Sequence, residues 1–218
     1  MLKKVVVNYY TNIKPDKDTI VVDNTPPNPN RGFAVGVNLG IKKALAAGAD
    51  EVLLVNPDVT IAKTQIEKLV KTTGDIIAPV LTFKRDGRVI KDYGGKINWL
   101  LGRPTHWENR QGKIDYVSGA CMLISRQVIE KIGLFDPGFF MYFEDVDFCL
   151  RAQAVGFSVA VNPQIVVYHQ ISEQRDTHDK FKIGQNLQSN WIFINKWVPW
   201  FFKPISYLYW LLLWLKTR

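Results

Sequence analysis

The sequence predicts an α/β fold with a mostly parallel sheet flanked by helices, and three observations predict it. Short β-branched runs at residues 5–7, 19–22, 51–55 and 75–79 have the unbroken apolar character of strands buried on both faces. Helical patterns at 36–47 and 64–71 alternate with them, the order expected of parallel strands joined by crossover helices. The 218 residues, 47% of them hydrophobic and seven of them Trp, suit one well-packed domain and argue against disorder.

Each element has a local reason. The chain opens Met-Leu-Lys-Lys before Val5, without the long apolar stretch of a signal peptide, which reads as a cytoplasmic chain starting in a strand. Residues 8–18 include Pro15 and are short for a helical crossover. The first helix is therefore expected to be missing, which bares one sheet face as an interface and allows a homo-oligomer. In 36–47, Val37, Ile41 and Leu45 form an apolar stripe that stops at Gly48, a C-cap signal. Residues 84–116 are Gly-rich, carry Trp and charges without periodicity, and read as a hairpin or a mobile insertion over the sheet edge. A strand-like stretch at 116–125 and a short helix at 127–132 follow. A helix over 144–155 places Asp147, Leu150, Arg151 and Ala154 on one side, with Asp147 and Arg151 as an i,i+4 ion pair. Residues 158–161 and 165–168 read as two further strands, the second ending at His169.

Charge and composition narrow the class of partner. A net charge of +8 favours anionic ligands or an acidic membrane surface, but the basic residues are dispersed, which disfavours nucleic acid. Cys121 and Cys149 lack metal-site spacing and sit among apolar residues, so they read as buried free thiols. The chain divides into a domain at 1–190 and an aromatic tail at 191–218. That tail holds Trp191, Trp197, Trp200, Trp210 and Trp214, with Pro199 and Pro204 as breaks and Lys196, Lys203 and Lys216 interspersed. Its apolar run at 205–215 is too short to span a bilayer, and Trp, Tyr and Lys together suit a membrane interface; packing on the domain or on a partner is the simpler alternative.

Four pieces could carry chemistry. Asp23 and Asn24 end a strand, where a carboxylate can accept hydrogen bonds from a base or ribose. Residues 30–38, with Arg31, Gly32, Gly36 and Asn38, form a glycine-containing loop leading into a helix, whose amides with Arg31 could approach a diphosphate. The spacing matches neither the P-loop nor the dinucleotide fingerprint. Asn56-Pro57-Asp58 sets a carboxylate past a central strand, the kind of ligand Mg²⁺ or Mn²⁺ shares with phosphate oxygens, and His169 could complete such a site. Glu144 and Asp145 follow an aromatic run, where carboxylates are expected to be paired, metal-bound or catalytic. The plainer readings are strand-end turns for Asp23 and Asp58, helix-start acids for Glu144 and Asp145, and surface positions for His106 and His178.

Read in order, VVDN at 21–24, NRGFAVGVN at 30–38, LLVNPDV at 53–59, VSGACMLISRQV at 117–128, GLFDPGFFMYFEDVDFCLRAQAVGF at 133–157 and YH at 168–169 resemble the family-two inverting glycosyltransferases of GT-A fold, in their rhamnosyltransferase-like branch. The resemblance implies transfer of a sugar, with rhamnose as the leading guess, from a nucleoside-diphosphate donor to a glycan or lipid-linked hydroxyl at the inner face of the cell membrane. It implies Asp145 as general base with Glu144 beside it, and Asp58 and His169 as ligands of Mg²⁺ or Mn²⁺. It further implies donor binding by Asp23, Asn24, Arg31, Gly32, Gly36, Asn38, Asn56, Ser118 and Gly119, and a structural role for Asp147 with Arg151. Residues 25–29, Thr-Pro-Pro-Asn-Pro, stand where the family usually has a second Asp, and with the shortened first crossover they keep a catalytically silent relative in view. A nucleotidyltransferase is the other enzyme class that holds phosphates on such a sheet.

Overall fold

The computed structural model describes residues 1–85, 87–109, 112–170 and 180–217; His178 lies outside them. Its elements are β1 (Leu2–Asn8), β2 (Thr19–Asp23), α1 (Phe33–Ala46), β3 (Glu51–Val55), β4 (Val59–Thr60), α2 (Lys63–Val70), β5 (Ile76–Arg85), β6 (Arg88–Asp92), β7 (Gly95–Asn98), β8 (Arg103–His106), β9 (Cys121–Ser125), α3 (Arg126–Ile132), α4 (Glu144–Ala154), β10 (Val159–His169), α5 (Lys180–Trp197) and α6 (Lys203–Lys216).

The sheet is mixed, which corrects the expectation of a mostly parallel one. Its order is β2-β1-β3-β9-β5-β10-β4, with β6 beside β5. Strand β1 pairs parallel with β2 and β3, and β5 pairs parallel with β10. Between these sets β9 runs antiparallel to both β3 and β5, and β4 and β6 add antiparallel pairs. The reason is that β9 is reached through hairpins rather than a helical crossover, so it enters from the opposite end. Its apolar Cys121–Ile124 run is buried on both faces and carries no sign of its direction. The two strands expected at 158–161 and 165–168 are a second correction: a single strand, β10 (Val159–His169), takes their place, with a register shift between Asn162 and Val166. Pro163, which cannot donate to a ladder, sits in that bulge.

Alternating side chains divide the core between the two sheet faces. Val5, Val7, Leu54, Ile76 and Ile124 pack with α1, α3, α4 and Phe193 and Ile194 of α5. Val6, Leu53, Ile77, Leu123 and Val167 pack with Leu69 and Ile66 of α2. Helix α1 starts at Phe33, earlier than the periodicity suggests, and ends in a Schellman motif. There Gly48 adopts φ +79°, its N–H bonds Leu45 O, and Ala49 N–H bonds Ala44 O. The helix lies close on β1: a Cβ at Gly36 would come within 2.7 Å of Val7 Cγ1, and one at Gly40 would clash with Val5 Cγ1. Gly36 is thus required by packing.

No helix joins β1 to β2. The connecting segment is pinned by Lys3–Asp18 and Lys4–Asp16 ion pairs, and its Ile13 packs on the α2 side of the core. A groove of about 370 Å³ remains between Leu2 and Lys4 of β1 and Ile66 and Val70 of α2. Residues 84–116 hold two hairpins, β5–β6 and β7–β8. Both cysteines are free and buried, and burial pushes the Cys121 thiol up to about 12.

Residue 190 falls inside α5, which is held to the domain by Ser189 Oγ donating to Met141 O at 2.8 Å and Asn190 Nδ2 donating to Gly102 O at 2.7 Å. Helix α6 lies on α5 through contacts of Trp191 with Tyr207 and Trp210, and Ser206 Oγ donates to Leu100 O at 2.9 Å. Several tail aromatics therefore serve packing. Trp200, Phe201, Ile205, Leu208, Leu212 and Leu215 instead remain exposed. Among the described residues no helix is long and apolar enough to cross a membrane.

Candidate active site

The sheet gathers the candidate residues along one edge. Strands β1, β2 and β3 point their carboxyl ends the same way, and β5 and β10, parallel to each other, share that direction because β9 opposes both β3 and β5. Asn8, Asp23, Asn56, Asp58 and His169 therefore lie at or just beyond one edge, where α/β sheets commonly bind ligands. The antiparallel β9 begins at this edge, so residues 118–120 stand there too.

Asp145 is placed by strain and by two amides. Tyr142 and Phe143 both adopt left-handed φ, 67° and 66°, immediately before α4. Such conformations cost on the order of 1–3 kcal/mol each and persist where the surroundings over-determine them. They turn the chain so that Asp145 Oδ2 accepts Gly119 N–H at 2.9 Å, while Oδ1 accepts the Val146 N–H at 2.8 Å. Gly119 approaches closely: a Cβ there would stand 3.4 Å from Asp145 Cβ. Burial raises the Asp145 carboxyl above its usual range, against the hydrogen bond from Gly119 and the charge of His106, which lower it. Glu144 is pushed higher still, by burial and then by the charge of Asp145. Its Oε2 is buried without a hydrogen-bond partner among the described residues, whereas both Asp145 oxygens take N–H donors. Asp145 is therefore the member of the pair better placed to carry the negative charge.

Asp58 and His169 meet across the β4–β10 ladder, where His169 pairs with Val59. His169 Nε2 lies 3.1 Å from Asp58 Oδ1, and the Gln170 N–H donates to Asp58 O at 2.8 Å. Asp58 is partly exposed, with 44% of its side chain accessible. One carboxylate and one imidazole are two of the donors that a divalent cation of the Mn²⁺ type accepts, with its other positions left for phosphate oxygens and water. No group of three or more His, Cys, Asp and Glu gathers among the described residues. The fit is that of a site completed by a ligand. A run of contacts links it to Asp145: Gly119 donates to Asp145, and the next residue, Ala120, accepts the Asn56 N–H at 2.8 Å, two residues before Asp58.

The remaining candidates divide. Asp23 is exposed, and Thr25 holds its carboxyl below the usual range through a 2.6 Å bond from the hydroxyl and a 3.1 Å bond from the N–H. Asn24 is buried, its Nδ2 donating to Tyr9 OH at 2.9 Å and to Gly32 O at 3.0 Å, while its Oδ1 has no hydrogen-bond partner among the described residues. Burial raises the Tyr9 hydroxyl, against the hydrogen bond with Asn24, which lowers it. The glycine loop differs from expectation. The Gly32 N–H is taken by Asn30 Oδ1 and the Phe33 N–H by Phe140 O, so these two amides are not open to a diphosphate. The Asn38 side-chain amide is committed to Phe135, at 2.8 and 2.9 Å, and braces α1 against the segment before α4. Arg31 is exposed, and the Ser118 hydroxyl accepts the Ala120 N–H at 3.3 Å.

Asp147 holds the site's scaffold, as its spacing from Arg151 predicts. Arg151 Nε donates to Asp147 Oδ2 at 2.8 Å. The sequence offers no sign of its other partners, Lys196 Nζ at 2.7 Å and Trp197 Nε1 at 2.8 Å, both from α5. Nor does it pair His106, which reads as a lone surface residue. The fold leaves it at the surface and gives it partners: His106 Nδ1 lies 2.8 Å from Asp92 Oδ2, and its ring meets the edge of Tyr116 at 5.2 Å. Hairpin geometry alone brings these together, and only the Trp-flanked, Gly-rich character of 84–116 hints at it.

This α/β domain, with its mixed sheet and polar residues gathered at one edge, resembles the folds of GT-A type. A solved structure of GalNAc-T7 with UDP, GalNAc and Mn²⁺ superposes with TM-score 0.69 at 12% identity, over 94% of this chain and 49% of that one. The sequence pattern of the family described as "Glycosyltransferase like family 2" matches residues 13–193, and the chain belongs to that family. It is 27% identical over 186 residues to the low-salt glycan biosynthesis hexosyltransferase Agl10 of Haloferax volcanii, covering 71% of this chain and 59% of that protein. It is 26% identical over 152 residues to the dTDP-rhamnosyl transferase RfbF of Shigella flexneri, covering 66% and 51%. The chain thus spans between half and three-fifths of the length of these relatives.

Proposed function

We propose that this chain transfers a sugar, rhamnose being the leading candidate, from a nucleoside-diphosphate donor to a hydroxyl acceptor with inversion. The observation that carries the reading is Asp145, a half-buried carboxylate oriented by two backbone amides and linked through residues 119–120 and 56 to the Asp58–His169 pair. Asp145 takes the acceptor proton; the acceptor oxygen bonds to the anomeric carbon as the bond from that carbon to the diphosphate oxygen breaks. Glu144, its carboxyl raised by burial, leaves the negative charge to Asp145. Asp23 receives the base or ribose, and Asp58 and His169 would hold Mg²⁺ or Mn²⁺. A cation bound there would supply Lewis-acid stabilisation of the departing diphosphate. Relatives named as hexosyl- and rhamnosyltransferases support the donor class.

Calorimetric titration of nucleoside diphosphates with and without Mn²⁺ tests this arrangement. Mn²⁺ is expected to tighten binding by about tenfold or more, and Asp58→Ala or His169→Ala to remove that gain, since loss of a metal ligand or its support commonly costs 10–100-fold. Binding that is indifferent to Mn²⁺ in the parent protein would overturn the metal assignment. A silent scaffold is the rival reading, favoured by the occupied amides of Gly32 and Phe33.

The acceptor is a glycan or lipid-linked hydroxyl at a membrane surface that α6 meets. Its outer face presents Ile205, Leu208, Leu212 and Leu215, with Trp200 and Phe201 preceding it and Lys203 and Lys216 at its ends, a composition suited to the headgroup boundary. Cosedimentation with anionic phospholipid vesicles is expected, and Trp200→Ser with Leu208→Ser should release the protein to the supernatant. A parent protein that stays in the supernatant with vesicles present would contradict this face's role.

A further inference from the structure

Helix α5 runs along the segment that carries the candidate base. Ser189, Phe193, Lys196 and Trp197 recur at i, i+4, i+7 and i+8, the spacing of one helix face. Their partners follow in the same chain order. Ser189 Oγ donates to Met141 O at 2.8 Å, the Phe193 ring meets that of Phe143 at 5.4 Å, and Lys196 and Trp197 reach Asp147. Glu144 and Asp145 lie between the second and third of these contacts. Ser189 is 1% exposed, and a hydroxyl so placed needs its partner inside the protein. The next residue, Asn190, is as deeply buried, but its bond goes elsewhere, to Gly102 O between β7 and β8 at 2.7 Å.

We propose that Ser189 is a positioning residue for sugar transfer: its hydroxyl anchors the left-handed turn at Tyr142 and Phe143 and thereby aims Asp145. The proposal rests on the reading of Asp145 as the base. The Met141 carbonyl and the Tyr142 nitrogen share one planar peptide unit, so the bond from Ser189 fixes the plane from which the left-handed φ of Tyr142 turns. Phe143 is left-handed as well, and its buried ring against Phe193 holds the far side of the turn. Neither residue is glycine, so the turn relaxes unless its neighbours hold it. Phe143 directly precedes α4, and its carbonyl accepts the Asp147 N–H at 2.9 Å, so the rotation of this turn sets where the helix begins. From that first turn Asp145 Oδ2 meets the Gly119 N–H at 2.9 Å. A bond of that length tolerates little displacement, and about 1 Å of misplacement is enough to remove a general base from reach.

Ser189→Ala removes one hydroxyl and little else. It is expected to lower kcat by about ten- to a hundredfold while KM for the donor stays within about twofold of the parent. Ser189→Thr, which keeps the hydroxyl, should recover rate relative to Ser189→Ala. A second readout needs no turnover: the Gly119 amide proton in protein labelled with ¹⁵N-glycine, identified by its change in Asp145→Asn. In Ser189→Ala this signal should move upfield as the bond to the carboxylate loosens. Asn190→Ala removes a comparable bond one residue away and should leave both readouts near the parent's values. A Gly119 signal unmoved in Ser189→Ala, or moved as far by Asn190→Ala, would overturn the proposal and leave Ser189 a packing contact. A Gly119 signal that moves only in Ser189→Ala, in a protein turning over no sugar donor, would sink the proposed function and leave the anchoring of the turn standing.

Discussion

Asp145→Asn is expected to lower sugar transfer by about 10²–10⁴-fold, the usual contribution of a positioned general base, while nucleoside-diphosphate binding survives. The amide that replaces the carboxylate can still accept the Gly119 N–H through its carbonyl oxygen, so the start of α4 keeps its place. It cannot take a proton at neutral pH. The donor contacts proposed for Asp23, Asp58 and His169 belong to other segments of the chain and are untouched. Burial raises the carboxyl of Asp145, so its removal also relieves a cost of folding at neutral pH, and the melting temperature should stay within a few degrees. Initial rates of nucleoside diphosphate release, paired with calorimetric binding, separate the two effects. Loss of binding together with rate would instead make Asp145 a donor ligand.

Asp147→Ala is expected to act on stability. Asp147 is fully buried and takes Arg151, Lys196 and Trp197 as donors. Arg151 also donates to Ile132 O and Leu134 O at 2.9 Å, and Lys196 pairs with Asp136 at 2.6 Å, so the carboxylate ties α4 both to α5 and to the segment before it. Removing it takes from the largely buried Arg151 its only carboxylate partner among the described residues, and one of two from Lys196, which keeps Asp136. Breaking a buried pair from one side costs about 3–5 kcal/mol, which for a chain of this size lowers the melting temperature on the order of 10 °C. Denaturant unfolding followed by tryptophan fluorescence measures it, because Trp197 is one of the partners lost. A shift under about 1 kcal/mol would mean that solvent replaces the carboxylate, and that the helices hold by apolar packing alone.

What could be read from residues and what could not follows the range of the interactions. The strands at β1, β2, β3 and β5 announce themselves because a strand buried on both faces must be apolar throughout, and α4 because Asp147 and Arg151 fall four apart. The same apolarity hides the direction of β9, since only its pairing with β3 and β5 distinguishes parallel from antiparallel. The bulge in β10 reads as a gap between two strands because Pro163 interrupts the pattern without ending the strand. At the site, Glu144, Asp145, Asp58 and His169 stand out as polar residues at strand ends or after an apolar run. The closure of the Gly32 and Phe33 amides depends on Asn30 and on the distant Phe140, and glycine spacing cannot register it. Asn38 looks like a loop ligand, yet its partner is Phe135, across the fold. The pairing of His106 is equally hidden: Asp92 and Tyr116 come to it through two hairpins whose registers no periodicity reveals.

The central claim is that a nucleoside-diphosphate sugar is cleaved in this cleft by an attacking hydroxyl. Its most direct test is a screen of nucleoside-diphosphate sugars, dTDP-rhamnose among them, with Mn²⁺ and a panel of glycan and lipid-linked acceptors, reading free nucleoside diphosphate. Acceptor-dependent release from one donor is predicted, reduced by Asp145→Asn and dependent on the cation. Release from no donor, with pyrophosphate formed instead from a nucleoside triphosphate and a sugar phosphate, would contradict the account and assign the cleft to nucleotidyl transfer.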